Sequence, residues 1–284
     1  MYESDLEKLL VSRHDNGADY WATPDGKLTL ERPISTLTAL FVMSELGVPA
    51  SHEALVGAAE LVLNACGKDG RVHVAPKGTV YSCSQAAAAA ALCRNGYAQD
   101  PRVQSMLTYL LSSRHVDGGW RCNKFFFGHG PETEHSNPGV TLAALDAFRC
   151  AGRNEETLEL DTAVETLLDH WTVRVPTGPC HYGIGTQFMQ VEYPFLRYNL
   201  FYYTYVLSFY PKARKDPRFL EALAALEGKL DGQGRIVVER PNRKLAGLSI
   251  CARGAPSEAA TGRYREIMAN LEKRSEMQSL CVRI

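Results

Sequence analysis

The stretch Val80–Cys122, VYSCSQAAAAAALCRNGYAQDPRVQSMLTYLLSSRHVDGGWRC, constrains the fold more than any other part of the chain. An alanine-rich helix, Ser84 to Cys93, ends at Asn95-Gly96. The turn Tyr97 to Pro101 leads into a second helix, whose Val103, Met106, Leu107, Leu110 and Leu111 share one face. That helix stops at Asp117-Gly118-Gly119-Trp120, where the glycine pair allows the chain to reverse. A helix pair of this kind cannot bury both of its faces alone. Its recurrence would therefore decide the architecture.

It does recur. Asp69-Gly70 precedes Asp117-Gly118 by about 48 residues. Five units follow one another, at about residues 32–72, 80–122, 135–185, 196–238 and 256–273, the last one partial. Pro33 near a helix start and Gly47 past its end fit the usual asymmetry of helix termini. Asp-Pro-Arg opens the second helix of units two and four, at Asp100 and at Asp216. Near the N-terminus, Gly17-Ala18-Asp19-Tyr20-Trp21 is a degenerate copy of the DGGW turn. The first helix of each unit is apolar almost all round, and the second is charged on one side. An inner ring of buried helices inside an outer ring of amphipathic ones satisfies both patterns. The expected fold is all-α, an (α/α) toroid of about five helix pairs in a single domain, residues 1–284.

Composition narrows the partners. The formal net charge is -1 and no basic block stands out, which argues against nucleic acid. No apolar run reaches the ~18 residues of a membrane span. The polar opening MYESDLEKLLVSRHD does not read as a signal peptide. Eight scattered cysteines without a secretion signal then read as reduced thiols, and the expected location is cytoplasmic.

DGGW after a second helix, at this spacing, resembles the repeat of the squalene–hopene cyclase and protein prenyltransferase superfamily over about residues 30–270. The resemblance implies a toroid with an aromatic-lined apolar cavity for isoprenoid chains, and a prenyl-transfer or terpene-cyclisation activity. Two signatures can be compared. Polyprene-protonating cyclases share Asp-x-Asp-Asp-Thr-Ala; Leu158-Glu159-Leu160-Asp161-Thr162-Ala163 keeps only the last Asp, Thr and Ala, on a charged helix expected to lie outside. The prenyltransferase catalytic subunit carries a stretch similar to Glu132–Leu145, ETEHSNPGVTLAAL, which puts His135 on the family's diphosphate-contacting His. The family's Asp-x-Cys and later His zinc ligands are missing from LRYNLFYYTYVL and PSEAATGRYREI.

The residues themselves suggest three constellations. Cys83, Cys122, His135 and His181 lie in loops or at helix starts that a toroid brings to one rim. Zinc takes about four such N/S ligands, so these are the candidate metal ligands and candidate catalytic residues. Cys180, His129 and Glu134 accompany them. The alternative is that the cysteines pack and the histidines cap loops. The second constellation is aromatic: Phe126, Tyr193, Tyr198 and Tyr202, with Trp120, form the candidate wall of an apolar site or plain core. The third is cationic: Arg32, Lys124, Arg197 and Arg240–Arg243–Lys244 offer a headgroup site or a solvated surface. The leading expectation is an isoprenoid-handling protein acting on an apolar small molecule. A non-catalytic lipid- or protein-binding toroid is the alternative. An unrelated toroidal glycosidase would need a carboxylate pair, for which only Glu132 and Glu134 offer themselves.

Overall fold

A computed structural model of the protein describes residues 2–29, 34–78, 80–123, 134–154, 158–177 and 182–281, with 273–281 described by backbone alone. Among the described residues there are ten α-helices and no strand. They are α1 (Glu3–Val11), α2 (Thr36–Glu45), α3 (Glu53–Asn64), α4 (Ser82–Arg94), α5 (Pro101–Ser112), α6 (Pro138–Cys150), α7 (Leu158–Val173), α8 (Leu200–Leu207), α9 (Pro217–Glu227) and α10 (Glu258–Cys281). Isolated bridges such as Cys66 with Val72 and Leu230 with Ile236 close the turns after α3 and α9.

The helices are of two kinds, as their residue patterns require. All eight residues of α8 are buried. In α5 only Val103, Met106, Leu107 and Leu110 are buried, and in α9 only Phe219, Ala222, Leu223 and Leu226. Both sets follow the i, i+3, i+4, i+7 stripe of a helix with one wet face. Each buried helix packs on the amphipathic helix that follows it, α2 on α3, α4 on α5, α6 on α7 and α8 on α9. The buried helices also pack on one another in the series α2, α4, α6, α8, and α8 packs on α10, which buries Ala260, Thr261 and Ile267 among its described side chains. The most extensive of these contacts is between α4 and α6. Ala86 and Ala88 to Ala91 are fully buried there, and small side chains let two helix axes approach closely.

The repeated sequence signals have repeated physical jobs. Asp100 and Asp216 cap α5 and α9, accepting from the backbone N–H of Arg102 (2.8 Å) and Arg218 (2.9 Å). The proline between needs no partner for a missing N–H. Each arginine grips its own aspartate and then reaches the preceding amphipathic helix: Arg102 to Glu60 and Asn64 on α3, Arg218 to Glu165 and Asp169 on α7. Asp-Pro-Arg is thus both a helix cap and a tie between neighbouring units. Asp100→Ala should cost about 1 kcal/mol from the cap alone. Urea unfolding should show the lower midpoint, and an unchanged midpoint would mean the cap is not formed in solution.

In the DGGW turn, the Trp120 indole donates at 2.8 Å to the Leu110 carbonyl near the end of α5, which also accepts from Ser113 N and Oγ. Its ring stacks on Phe148 of α6. Trp21 of the degenerate copy donates in the same way, to Ser12 Oγ (3.0 Å) and the Leu9 carbonyl (3.3 Å) at the end of α1. The turn is then fastened to the next buried helix. Val72, Trp120 and Ile236 each donate a backbone N–H to a polar side chain, Gln85, Thr141 and Thr261 respectively (2.8, 3.1 and 3.0 Å). Each acceptor is the fourth residue of its helix.

Two elements differ from the sequence expectation. The unit expected from about residue 196 has its first helix only at Leu200–Leu207. Pro194 cannot donate to a helix, and Asn199 caps α8 by accepting from Tyr202 N, so the chain before it runs as an irregular segment. The last helix, expected to end near Lys273, continues to Cys281. The two ends of the chain are joined. Asp5 of α1, fully buried, accepts from Ser249 N and Ile250 N (2.8 Å each), and the Tyr2 hydroxyl accepts from Ala259 N on α10 (3.1 Å).

Candidate functional site

The first turns of the buried helices open into a cavity of about 630 Å³. Its lining is periodic. Leu37, Thr38 and Phe41 come from α2, Cys83, Ser84 and Ala87 from α4, and Gly139, Val140 and Ala143 from α6. These are the second, third and sixth residues of each helix, so three successive units present the same face at the same level. Gly139 lies close against Tyr182, which also lines the cavity: a Cβ there would stand 3.1–3.3 Å from its ring. The fourth side is the segment before α8, with Phe195, Leu196, Arg197 and Tyr198, followed by Tyr202 in the first turn of that helix. Asn242 and Lys244 complete the rim.

Beneath this cavity lies a buried charge network that the sequence did not announce. Each of the five helices in the series contributes to it. Glu45 ends α2 and Arg94 ends α4; Asp146 and Arg149 lie on α6, Tyr202 and Tyr205 on α8, Arg263 and Glu266 on α10. Arg94 bonds both Glu45 and Asp146, its side chain 5% exposed against their 1% and 0%. Arg149 takes the other Asp146 oxygen at 2.6 Å, and Arg263 takes Glu45 at 2.8 Å. Three guanidinium groups thus face two buried carboxylates and the half-exposed Glu266, and this pairing makes burial of the charge tolerable. Burial pushes the Glu45 and Asp146 carboxyls up, but Arg94 with Arg263, and Arg149 with Arg94, outweigh it and hold both below their ordinary values. The Tyr202 hydroxyl donates to Asp146 at 2.9 Å, and the Tyr193 hydroxyl donates to Glu45. Burial, with those carboxylates, raises both phenols well above their usual range. Tyr202 belongs to both levels, lining the cavity and anchoring its floor.

A second cavity, about 390 Å³, lies between the DGGW turn and the end of α7. Asp117, His135, Ser136, Asp169, His170 and Thr177 line it, with Val173, Val175 and Pro176 as its apolar side. Asp117 is occupied in holding the start of the next unit: it accepts from Ser136 N at 2.7 Å and from the Ser136 hydroxyl. Asp169 is tied to Arg218.

The candidate residues fall into four groups. Arg197, Tyr198, Tyr202 and Cys83 line the larger cavity. Trp120 and Tyr193 line neither cavity; each is buried, and each spends its polar group on a structural bond, to the Leu110 carbonyl and to Glu45. His135 lines the smaller cavity and Cys122 is buried, so Cys83 and His135 are not brought to one site. Phe126 and His181 lie outside the described residues, as do Arg32, Lys124, His129, Glu132 and Cys180. Asn123 nonetheless joins the two ends of the opening stretch, donating to the Val80 carbonyl (2.7 Å) and accepting from Ser82 N (3.1 Å). Among the described residues no group of three His, Cys, Asp or Glu side chains is placed to hold a metal ion, so Cys83, Cys122 and His135 do not converge as the zinc ligands expected of them. Arg197 sits 3.7 Å from the buried carboxylate of Glu192, whose acidity burial weakens.

Two features escaped the sequence. The charge network pairs residues 49 and 52 positions apart, Glu45 with Arg94 and Arg94 with Asp146. Its only local signal is a charged residue near the end of an otherwise apolar helix, a place where solvated caps are common. His170 was hidden on a helix read as external. The available sign was that it falls on the buried stripe of α7 with Leu160, Val164, Leu167, Leu168 and Trp171.

No protein-family model and no curated protein matches the chain. Among the described residues no helix is long and apolar enough to cross a membrane.

Proposed function

We propose that the protein is an (α/α) toroid that holds an isoprenoid or similarly apolar small molecule in its larger cavity. The observation that carries this reading is the periodic lining: equivalent positions of three successive helices face one 630 Å³ space walled by Phe41, Phe195, Tyr198 and Tyr202. Three further facts support the toroid. Four buried helices and α10 pack in chain order, all five contribute to one charge network, and α1 fastens to the segment that leads into α10. An aromatic wall suits an apolar chain, and the Arg197–Lys244 rim suits its polar end. The described lining supplies a thiol, phenols and two cations, a set better suited to holding a ligand than to protonating an alkene, which needs a carboxylic acid.

Native mass spectrometry of protein produced in an isoprenoid-making host tests the reading. The expected result is a bound prenyl compound that is lost when Ala143→Phe fills the wall. Protein that carries no such compound, and that fails to retain added geranylgeraniol, would remove the proposal. Retained ligand without turnover of prenyl diphosphates would favour the non-catalytic form of the same reading.

A further inference from the structure

The two cavities share a wall, and the residues in it are joined by a hydrogen bond. Tyr198 lines the larger cavity and His170 the smaller, and the Tyr198 hydroxyl lies 2.8 Å from His170 Nδ1. The partner of the other ring nitrogen points to the direction of that bond. His170 Nε2 is 3.0 Å from the Val175 carbonyl, which can only accept, so Nε2 carries a hydrogen. His170 is 5% exposed, and burial lowers the basicity of its imidazole, which favours the neutral ring. Nδ1 of a neutral ring with Nε2–H is an acceptor, so the Tyr198 hydroxyl is the donor. With its own hydrogen committed, the phenol oxygen can only accept from a ligand.

We infer that Tyr198 and His170 form a proton relay through the wall, with Tyr198 as the acid–base group for an apolar alcohol held in the larger cavity. In the forward step the ligand's O–H proton passes to Tyr198 Oη as the phenol's own proton passes to His170 Nδ1. An alkoxide and an imidazolium result, so charge is conserved. The imidazolium is positioned by its Nε2–H bond to Val175 O, and the Tyr182 carbonyl also favours it. In the return step the Nδ1 proton passes back to Tyr198 Oη as the phenol proton returns to the ligand oxygen, so the relay needs no other proton acceptor. Rings of Phe188, Tyr203 and Tyr182 pack around Tyr198 and fix its orientation. Tyr198 would touch the ligand; His170 acts through it and is a positioning residue. The inference rests on the larger cavity being the ligand site.

The relay can be tested without the natural ligand. N-acetylimidazole is a small neutral reagent that acetylates phenol oxygens. The Oη–C bond forms, the C–N bond breaks, the phenol proton leaves to His170, and the departing imidazole takes up a proton. Peptide mapping should find Tyr198 acetylated in the wild-type chain. His170→Gln can keep both hydrogen bonds but cannot take the proton, so acetylation should slow by about tenfold or more. Equal rates would make the pair a structural contact. Absence of acetylation at Tyr198 in the wild type would show its oxygen to be out of reach. Either result overturns the relay. Nitrogen NMR of wild-type protein carrying labelled histidine gives a second readout that does not depend on the variant folding. His170 Nδ1 should resonate as an unprotonated, hydrogen-bonded nitrogen, and a protonated Nδ1 would overturn the assignment. Failure to bind prenyl compounds with these results intact would sink the proposed function and leave the relay standing.

Discussion

Replacing Arg94 by leucine should destabilise the fold by about 3–5 kcal/mol, the cost of leaving buried carboxylates short of their partner. Arg94 bonds Glu45 and Asp146 at once, and neither side chain is more than 1% exposed. Arg263 and Arg149 remain for them, but the two halves of the network lose the residue that joins them. The effect should depend on pH in a way that simple loss of packing cannot mimic. In the wild type both carboxyls titrate below their ordinary values of 4.5 and 3.8. The unfolded chain therefore takes up protons first as pH falls. The stability contributed by these groups is fully present above those ordinary values, and it is lost as pH drops through the folded-state values. Without Arg94 the burial term gains weight and the carboxyls rise. The deficit of Arg94→Leu relative to wild type should then shrink between about pH 7 and pH 3.5. Urea unfolding at several pH values checks this, and a deficit independent of pH would assign the loss to shape alone.

The second large effect is expected at the turns between units. Gly70→Ala should cost several kcal/mol, of order 1–2 from its positive φ alone and more from what it touches. Its φ is +79°, and a Cβ would fall 2.2 Å from the Ser105 backbone oxygen, which belongs to α5 and cannot swing away. Gly118→Ala should behave alike: φ is +97°, and the Cβ would meet Thr162 of α7 at 2.7 Å. Ser105 and Thr162 are each the fifth residue of their helix. At the first turn the roles are reversed. Tyr20 lies over Gly57, the fifth residue of α3, where an added Cβ would come 2.0 Å from the Tyr20 ring. Gly57→Ala should therefore be milder than Gly70→Ala, because a side-chain tip can move and a helix backbone cannot. Thermal melting of the three variants gives the ranking. A Gly57→Ala loss as large as that of Gly70→Ala would mean Tyr20 is as rigid as backbone.

These features differ in how plainly they stand in the sequence. Asp-Pro-Arg and DGGW were legible because each does its work within a few residues: a cap on the second N–H along, a glycine with positive φ, a tryptophan closing the helix just before it. The division into buried and amphipathic helices was legible for the same reason, since periodicity is local. Tyr198 and Tyr202 could be singled out because aromatic residues crowd this stretch of sequence, and Arg197 because it is a cation beside them. Trp120 and Tyr193 were not distinguishable from them by residue type. What separates a wall residue from a strut is the partner of its polar atom, and for Tyr193 that partner is 148 positions away. His170 and the charge network were missed on the same ground. A charge near a helix end reads as solvated until the neighbouring helix is known.

The use of second, third and sixth positions around the larger cavity has a bearing on how such a protein changes. Those side chains neither cap the helices nor receive the N–H groups of the turns, whose acceptors sit at the fourth position, so the cavity lining and the scaffold use separate positions of the same helices. Changes at Thr38, Ser84 or Ala143 can therefore reshape the cavity one unit at a time while the bonds that fasten the turns stay in place.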